Sequence, residues 1–200
     1  MSTDIIQQLP IFKLEDWLIG QKIGKGQSSK VYMVKNTKTG EVYALRVVRI
    51  KTYSVSQIRD EISNIQKIAF HPHCSTLISR YYGIYVDNQE TPGIIYMVLE
   101  YIVGDNLYNY LENNPNTLSQ ETVMSLVNLL LQALQYLHSN NIVHRDIKLE
   151  NIIITPFKEI KVIDLGFTCH FSKCMVGTGT LLYMPPEQYI DPKYADRLDI

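Results

Sequence analysis

The sequence predicts an α+β fold in which short strands come first and a long helix with further short strands follows. Between residues 17 and 99, apolar stretches of strand length alternate with polar turns that contain glycine or proline. The apolar-periodic stretch over residues 117–139 is long enough for a helix of several turns. Directly after it, Ile142–Asn151 packs His144, Arg145, Asp146, Lys148, Glu150 and Asn151 between that stretch and the apolar triplet Ile152–Ile154. A core segment does not tolerate so much charge, and a surface loop needs no apolar flanks. Polar groups are therefore expected to be held rigidly at the mouth of a strand, where sites are built.

Composition narrows the class. With 200 residues, 46% hydrophobic and 20% charged, the chain can bury a sizeable core and reads as globular. Its net charge of -1, from 19 basic and 20 acidic residues, calls for neither nucleic acid nor an anionic membrane as partner. Cys74, Cys169 and Cys174 make an odd, sparse set, which suits a reducing compartment. None has zinc-like pairing, and Cys169 and Cys174 are too widely spaced for a CxxC site. The N-terminus, Met1-Ser2-Thr3-Asp4, lacks the basic region of a signal peptide. Apolar runs such as Ile94–Leu99 fall far short of the ~20 residues of a membrane helix. The expectation is a soluble, cytoplasmic protein without internal repeats.

The elements follow in order. Residues 1–15 form a short extension, and Trp17–Ile23 is apolar enough for a first strand. Gly24-Lys25-Gly26 then leads into the alternating run Val31–Val34, a strand, glycine turn, strand pattern. Glycines there let backbone N–H groups approach a phosphate, but an ordinary hairpin turn has the same residues. Asn36–Gly40 is a polar turn and Glu41–Ile50 the next strand. Ser54 and Gln57 have capping-box spacing, and Ile58, Ile62, Ile65 and Ile68 mark one face of the helix they open. Glu61 shares that face, so its carboxylate either meets a cation or bends to water at the rim.

A strand ending at Tyr82 and a polar turn over Val86–Gly93 precede the buried strand Ile94–Leu99. Asp105 or Asn106 then stands at a turn, as a ligand-facing polar group or as a helix N-cap. In the long helix Val123, Leu126, Leu130, Leu134 and Leu137 mark the buried face, and Leu129 and Leu131 widen it toward burial on most sides. Asn151–Thr155 and Glu159–Ile163 are short strands, and Phe167–Thr178 has no period and reads as a loop.

The polar loop resembles the catalytic loop of protein kinases, His-Arg-Asp-x-Lys-x-x-Asn, through His144, Arg145, Asp146, Lys148 and Asn151. The other motifs of that family follow in its order. Gly24, Gly26 and Val31 match the glycine-rich loop, with Ser29 in place of its third glycine. Tyr43-Ala44-Leu45-Arg46 falls on Val-Ala-Ile-Lys, which puts Arg46 at the ATP-binding lysine position. Asp164-Leu165-Gly166 resembles Asp-Phe-Gly, and Gly179–Glu187 resembles the segment Gly-Thr-x-x-Tyr-Met-Ala-Pro-Glu, with Pro185 for alanine. Asp196–Ile200 resembles the start of the central helix of the large lobe, where Asp199 would anchor the catalytic loop.

This resemblance, from about Trp17 to Ile200, implies a two-lobed fold. A small lobe of antiparallel sheet with one helix spans 16–101, and a mainly helical large lobe, incomplete at its central helix, spans 102–200. A truncated or fragmentary chain is the expectation that goes with it. The implied activity is ATP-dependent transfer of the γ-phosphate to a serine or threonine hydroxyl of a protein, with ATP and Mg²⁺ as cofactors. Asp146 would accept or orient the hydroxyl proton, Lys148 would sit near the phosphoryl group, and Asn151 and Asp164 would bind the metal. Arg46 would pair with Glu61. Gly24, Lys25, Gly26, Val31, Ala44, Arg46, Glu100, Ile102, Asn106 and Ile153 are the implied nucleotide contacts, with Leu99 as gatekeeper. Arg145 would meet a phosphorylated loop, with Thr168, Ser172 or Thr178 as acceptor, which implies an activating kinase. His144 and Leu165 would align the loop by packing. Lys148 and Thr180 favour serine/threonine over tyrosine. A protein substrate, no nucleic acid or membrane, and a monomeric complete chain are the implied partners. The alternative is a pseudokinase or nucleotide-binding scaffold, because arginine is not equivalent to lysine at position 46.

Overall fold

The computed structural model describes residues 13–26, 29–49, 55–69, 75–87, 93–115, 117–174, 179–186 and 199, and the side chains of all of these except 14, 55–61, 86 and 87. Most of the N-terminal extension, the Ser54 cap, Cys74, Thr178 and Glu187 lie outside the described residues. The fold is α+β, and the chain divides into two compact units. One takes in 1–55 and 80–101, the other 56–79 and 102–200.

The first unit is a five-stranded antiparallel sheet in the order β1-β2-β3-β5-β4. Its strands are β1 (Trp17–Lys25), β2 (Ser29–Asn36), β3 (Val42–Arg49), β4 (Tyr81–Asp87) and β5 (Ile94–Glu100). The turn between β2 and β3 closes because Asn36 Oδ1 accepts from the N–H groups of Lys38 and Thr39, with Gly40 at φ 75°. Strand β4 continues through Val86 and Asp87, which sequence reading assigns to a turn; the ladder pairs Asp87 with Ile94.

Cross-strand register sorts the side chains of this sheet. Val34, Leu45 and Val98 are buried on one face under Trp17, Tyr32, Tyr43, Val47, Tyr85 and Tyr96. Tyr43 packs edge-on against both Trp17 and Tyr82, with centroids 5.3 and 5.1 Å apart. Burial, with the Glu41 carboxylate that accepts its hydroxyl at 2.8 Å, pushes the Tyr43 phenol up to about 12. The opposite face carries Ala44, Arg46 and Val48 of β3.

In the second unit, helix α1 (Val55–Ala69) buries Ile62, Ile65 and Ile68, as the periodicity predicts. Helix α2 (Leu107–Asn113) follows β6 (Asp105–Asn106), and α3 spans Gln120–Ser139. The start of α3 is three residues later than the pattern alone suggests, because Ser119 Oγ accepts the Thr122 N–H and fixes the first turn there. Tyr136 donates its hydroxyl to the Ile68 carbonyl at 2.8 Å and ties α3 to α1.

Burial on most sides of α3 is not what forms. Leu126, Ala133, Leu134 and Leu137 are buried, whereas Val123, Met124, Val127 and Leu131 are exposed. The apolar surplus in the sequence covers a second stripe of the helix, not a closed ring.

Three short pairings complete the unit. β8 (Ile152–Ile154) lies between β6 and β9 (Ile160–Val162), and β7 (Ile142–Val143) pairs with β10 (Cys169–His170). Residues 77–79 run beside β9 through a parallel bridge between Ile78 and Val162. β10 lies inside the stretch that reads as a loop, since a two-residue strand has no period to detect. Among the described residues no helix is long and apolar enough to cross a membrane.

Candidate active site

The polar loop leaves β7 at Val143 and re-enters the core at β8. Its backbone is held from three directions. Asp199 accepts the N–H of His144 and of Arg145, both at 2.7 Å, one on each carboxylate oxygen. The same carboxylate meets His138 Nε2 of α3 at 3.1 Å. His144 is fully buried and spans between loop and strand exit: Nε2 lies 3.1 Å from the Ile163 carbonyl, and Nδ1 accepts the Asp146 N–H at 3.3 Å. With Nδ1 accepting, Nε2 is the nitrogen that donates to the Ile163 carbonyl. The buried ring thus links the loop to the strand exit, at the position where the sequence reading expects a residue that aligns the loop by packing.

Asp146 is 3% exposed and its carboxylate is fully engaged. Oδ1 accepts the Thr180 hydroxyl at 2.5 Å and the Thr180 N–H at 3.0 Å. Oδ2 accepts Asn151 Nδ2 at 2.8 Å and faces Lys148 Nζ at 3.0 Å. Lys148 Nζ also donates to Thr180 Oγ1 at 2.6 Å, so Thr180 donates to the acid and accepts from the base. Burial by itself would raise the Asp146 carboxyl. The hydrogen bonds from Thr180, Lys148 and Asn151, with the Lys148 charge, outweigh it and hold the group below the usual carboxylate range.

Arg145 sits at φ 65° and Asp164 at φ 59°, left-handed conformations that a residue with a side chain adopts at a cost of about 1–3 kcal/mol. The Asp199 anchor supports the first. The second places Asp164 as a cap on the following turn, where its Oδ1 accepts the Gly166 N–H at 3.3 Å. Arg145 Nε donates to the Phe167 carbonyl at 2.7 Å, and burial, opposed by Asp199, pushes its guanidinium down to about 10. Leu165 is fully buried, a packing residue.

Asn151 and Asp164 offer an amide and a carboxylate oxygen, hard donors that suit Mg²⁺. Asn151 is buried and spends Nδ2 on the Asp146 carbonyl and carboxylate, each at 2.8 Å, which leaves Oδ1 as its ligating atom. The Ile163 N–H donates to the Asn151 carbonyl at 2.9 Å and fixes the strand leading to Asp164. The residues present therefore fit the metal.

The first unit holds the other expected contacts. Val31 and Ala44 share the sheet face of Arg46, since Val31 pairs with Arg46 and Ala44 lies two residues before it. Lys25 pairs with Lys30, and Lys30 with Val47, so both lysines belong to the opposite, aromatic face. Neither stands in for a lysine at position 46. Arg46 is 8% exposed. Glu61 is in α1, but its side chain lies outside the described residues, and the expected pair with Arg46 lies outside with it. The Gly26 N–H closes the β1–β2 hairpin on the Ser29 carbonyl at 2.9 Å, and Gly24 belongs to the ladder opposite Val31. Glu100 ends β5, where its N–H donates to the Arg80 carbonyl at 2.9 Å. Leu99 is buried in the same strand.

In the second unit Ile102 precedes β6, Ile153 lies in β8 opposite Asn106, and Asn106 caps α2, its Oδ1 accepting the Asn109 N–H at 2.8 Å. The cap is the reading of Asn106 that its side chain fulfils.

Sequence reasoning missed three participants. His138 braces Asp199 from the last turn of α3. Asn64 of α1, 5% exposed, donates to the Thr168 carbonyl at 3.0 Å. Cys169 and Cys174 form a disulfide, with Cα atoms 5.3 Å apart, where unpaired thiols are the expectation. A buried asparagine among isoleucines on α1 was a readable signal; His138 acts across 61 residues, and the disulfide depends on a local turn that brings two nearby cysteines together.

Comparison with known proteins agrees with this geometry. The family model described as "Protein kinase domain" matches residues 17–200. The chain is similar to an Aurora kinase of Yarrowia lipolytica, 34% identical over 191 residues that cover 94% of this chain and 50% of that protein. It is 31% identical to the serine/threonine-protein kinase Aurora-1 of Arabidopsis thaliana, over 94% of this chain and 62% of that one. It is 30% identical to the liver/testis phosphorylase b kinase gamma catalytic chain of Mus musculus, over 89% and 47%. The chain spans about half the length of most of these curated relatives.

Proposed function

Because the chain belongs to the protein kinase family, we propose that it carries the core of an ATP-dependent protein kinase that transfers phosphate to serine or threonine hydroxyls. The observation that supports this most is the closed set Asp146, Lys148, Thr180 and Asn151. All of the Asp146 acceptor capacity is in use, so an incoming serine or threonine hydroxyl takes the place of one donor, most simply the Thr180 hydroxyl. Asp146 then orients that hydroxyl and receives its proton as the phosphoryl group is transferred in line. Lys148 puts positive charge where the oxygens of the transferring group carry negative charge.

Mg²⁺ would be held by Asn151 and Asp164, and when bound it neutralises the phosphate oxygens. Gly24, Gly26, Val31, Ala44 and Arg46 are the proposed nucleotide contacts of the first unit, with backbone groups of Lys25 and Glu100, since the Lys25 side chain belongs to the other face. Ile102, Asn106 and Ile153 complete the proposed set. A protein substrate and an upstream activating kinase are the proposed partners, with exposed Ser172 as phosphoacceptor in preference to Thr168, which is buried with its hydroxyl donated to the Leu165 carbonyl, in a cytoplasmic setting.

One observation supports a second reading, a nucleotide-binding scaffold without turnover. Arg46 stands on the sheet face of Val31 and Ala44, and Lys25 and Lys30 are both on the other. A guanidinium fork does not reproduce the point charge of an ammonium.

The test is transfer of labelled phosphate from ATP·Mg²⁺ to serine- and threonine-containing peptides by the full chain, beside Asp146→Asn and Arg46→Lys. The kinase reading expects transfer by the parent and a fall of about 10²–10⁴ in kcat for Asp146→Asn. A silent parent that gains activity on Arg46→Lys establishes the scaffold reading instead.

A further inference from the structure

The stretch between Asp164 and Thr180 contains a disulfide, Cys169–Cys174, that plays no part in phosphoryl transfer. We propose that this pair is a redox-exchangeable latch, closed by a low-molecular-weight disulfide such as glutathione disulfide, that holds residues 169–174 against the strand feeding the Asp146 loop.

The contacts on either side of the ring lead into that loop. Cys169 pairs with Val143 and His170 with Ile142, so β10 lies on the two residues that immediately precede His144. The Phe171 N–H, inside the disulfide ring, donates to the Asn141 carbonyl at 3.0 Å. The Phe171 ring packs edge-on against His138, centroids 5.8 Å apart, and His138 braces the Asp199 carboxylate that holds the His144 and Arg145 amides. Cys169, Cys174 and Val143 form a small apolar cluster of their own, with Phe171 against it. A ladder of two residues per strand is too short to persist alone. The cross-link removes the freedom of the turn that would otherwise unpeel it.

The chemistry closes without a metal or a further reactant. The Cys174 thiolate attacks one sulfur of glutathione disulfide, and one glutathione thiolate leaves. The Cys169 thiolate then attacks the Cys174 sulfur of the mixed disulfide, and the second glutathione leaves. Two protein thiols are oxidised by two electrons, one glutathione disulfide is reduced to two glutathiones, and the two thiol protons pass to the departing thiolates. Cys174 is the entry point. Exposed Ser172 and Lys173 precede it, and because Cys174 is itself 7% exposed, attack on its sulfur follows opening of that turn. In a reducing compartment, such a bond is transient and regulatory.

The regulatory consequence rests on the phosphoryl-transfer reading; the latch itself does not. The experiment therefore reads structure and activity separately. The full chain is equilibrated in glutathione buffers of graded ratio, and the pair is scored by intact mass and by alkylation of free thiols. Amide hydrogen exchange of the peptide spanning 141–146 is followed at each ratio. The expected result is reversible closure, with exchange at 141–146 about five-fold or more faster in the reduced protein. Cys169→Ser/Cys174→Ser and, separately, Cys174→Ala should match the reduced protein at every ratio. Equal exchange in the two redox states, or no closure at any ratio, overturns the latch. A redox-dependent exchange without phosphate transfer in either state supports the latch and sinks the kinase reading alone.

Discussion

Thr180 shows how much one hydroxyl decides. It donates to Asp146, accepts from Lys148 and adds its own N–H to the same carboxylate oxygen. Thr180→Ala removes the hydroxyl donor and leaves burial, which raises the Asp146 pKa, less opposed. The carboxyl rises, and the acid limb of kcat/KM, along which the base is lost as pH falls, moves to higher pH. Thr180→Ser keeps the donor and should leave the limb in place. The same sign governs stability. The depressed Asp146 group stabilises the fold above its unfolded pKa, and that contribution is lost as pH falls through the folded value. Thr180→Ala should therefore also shift acid unfolding to higher pH, read by circular dichroism along an acid titration. At this scale the sequence was most legible where chemistry dictates the residue. Asp146, Lys148 and Asn151 meet in space as their spacing within one motif suggests. Thr180 enters from 34 positions away, and no local pattern announces its two bonds to Asp146.

Among the elements, the sharpest constraint is the turn into β6. A Cβ on Gly104 would collide with the Ile154 carbonyl oxygen and crowd Ile153 Cγ2, both parts of β8. Backbone cannot yield as a flexible side chain can. Gly104→Ala should destabilise by about 2 kcal/mol, the cost of overpacking against a fixed neighbour, and lower the melting temperature by several degrees in calorimetry. Element prediction succeeded where period and punctuation agreed. The Asn36–Gly40 turn, the Ile62/Ile65/Ile68 face and strand β5 follow from residue order alone. It failed for β7 and β10, whose two-residue ladders exist because the chain brings them together. It also overran at α3, where a serine side chain, not hydrophobicity, sets the first turn.

Over the whole molecule, apolar surface is distributed unevenly. Exposed Val123, Met124, Val127 and Leu131 line one side of α3. An apolar cavity of about 240 Å³ opens beside them, lined by Leu107, Leu111, Val123, Val127, Leu130 and Ile152 among others. Contiguous apolar surface of this kind takes up hydrophobic dyes and promotes self-association. Met124→Lys with Leu131→Lys should reduce dye fluorescence and light scattering and change stability by no more than about 0.5 kcal/mol per site, as for other exposed positions. Equal scattering from parent and variant would remove α3 as the source. The α+β class was readable in the order of its elements; this unevenness was not, because composition counts apolar residues without saying which stay in water.

Asp199 also sets a clock. Its carboxylate fastens amides 54 and 55 residues earlier and a histidine 61 residues earlier. A ribosome that adds roughly 5–20 residues per second reaches codon 199 several seconds after it has passed the Asp146 loop. Through that interval the nascent chain carries every acid and base of the loop without the group that pins its backbone. The last part of the loop to be secured is thus decided by translation order, and a pause in synthesis before residue 199 would prolong the time for which chaperones meet an unfinished site.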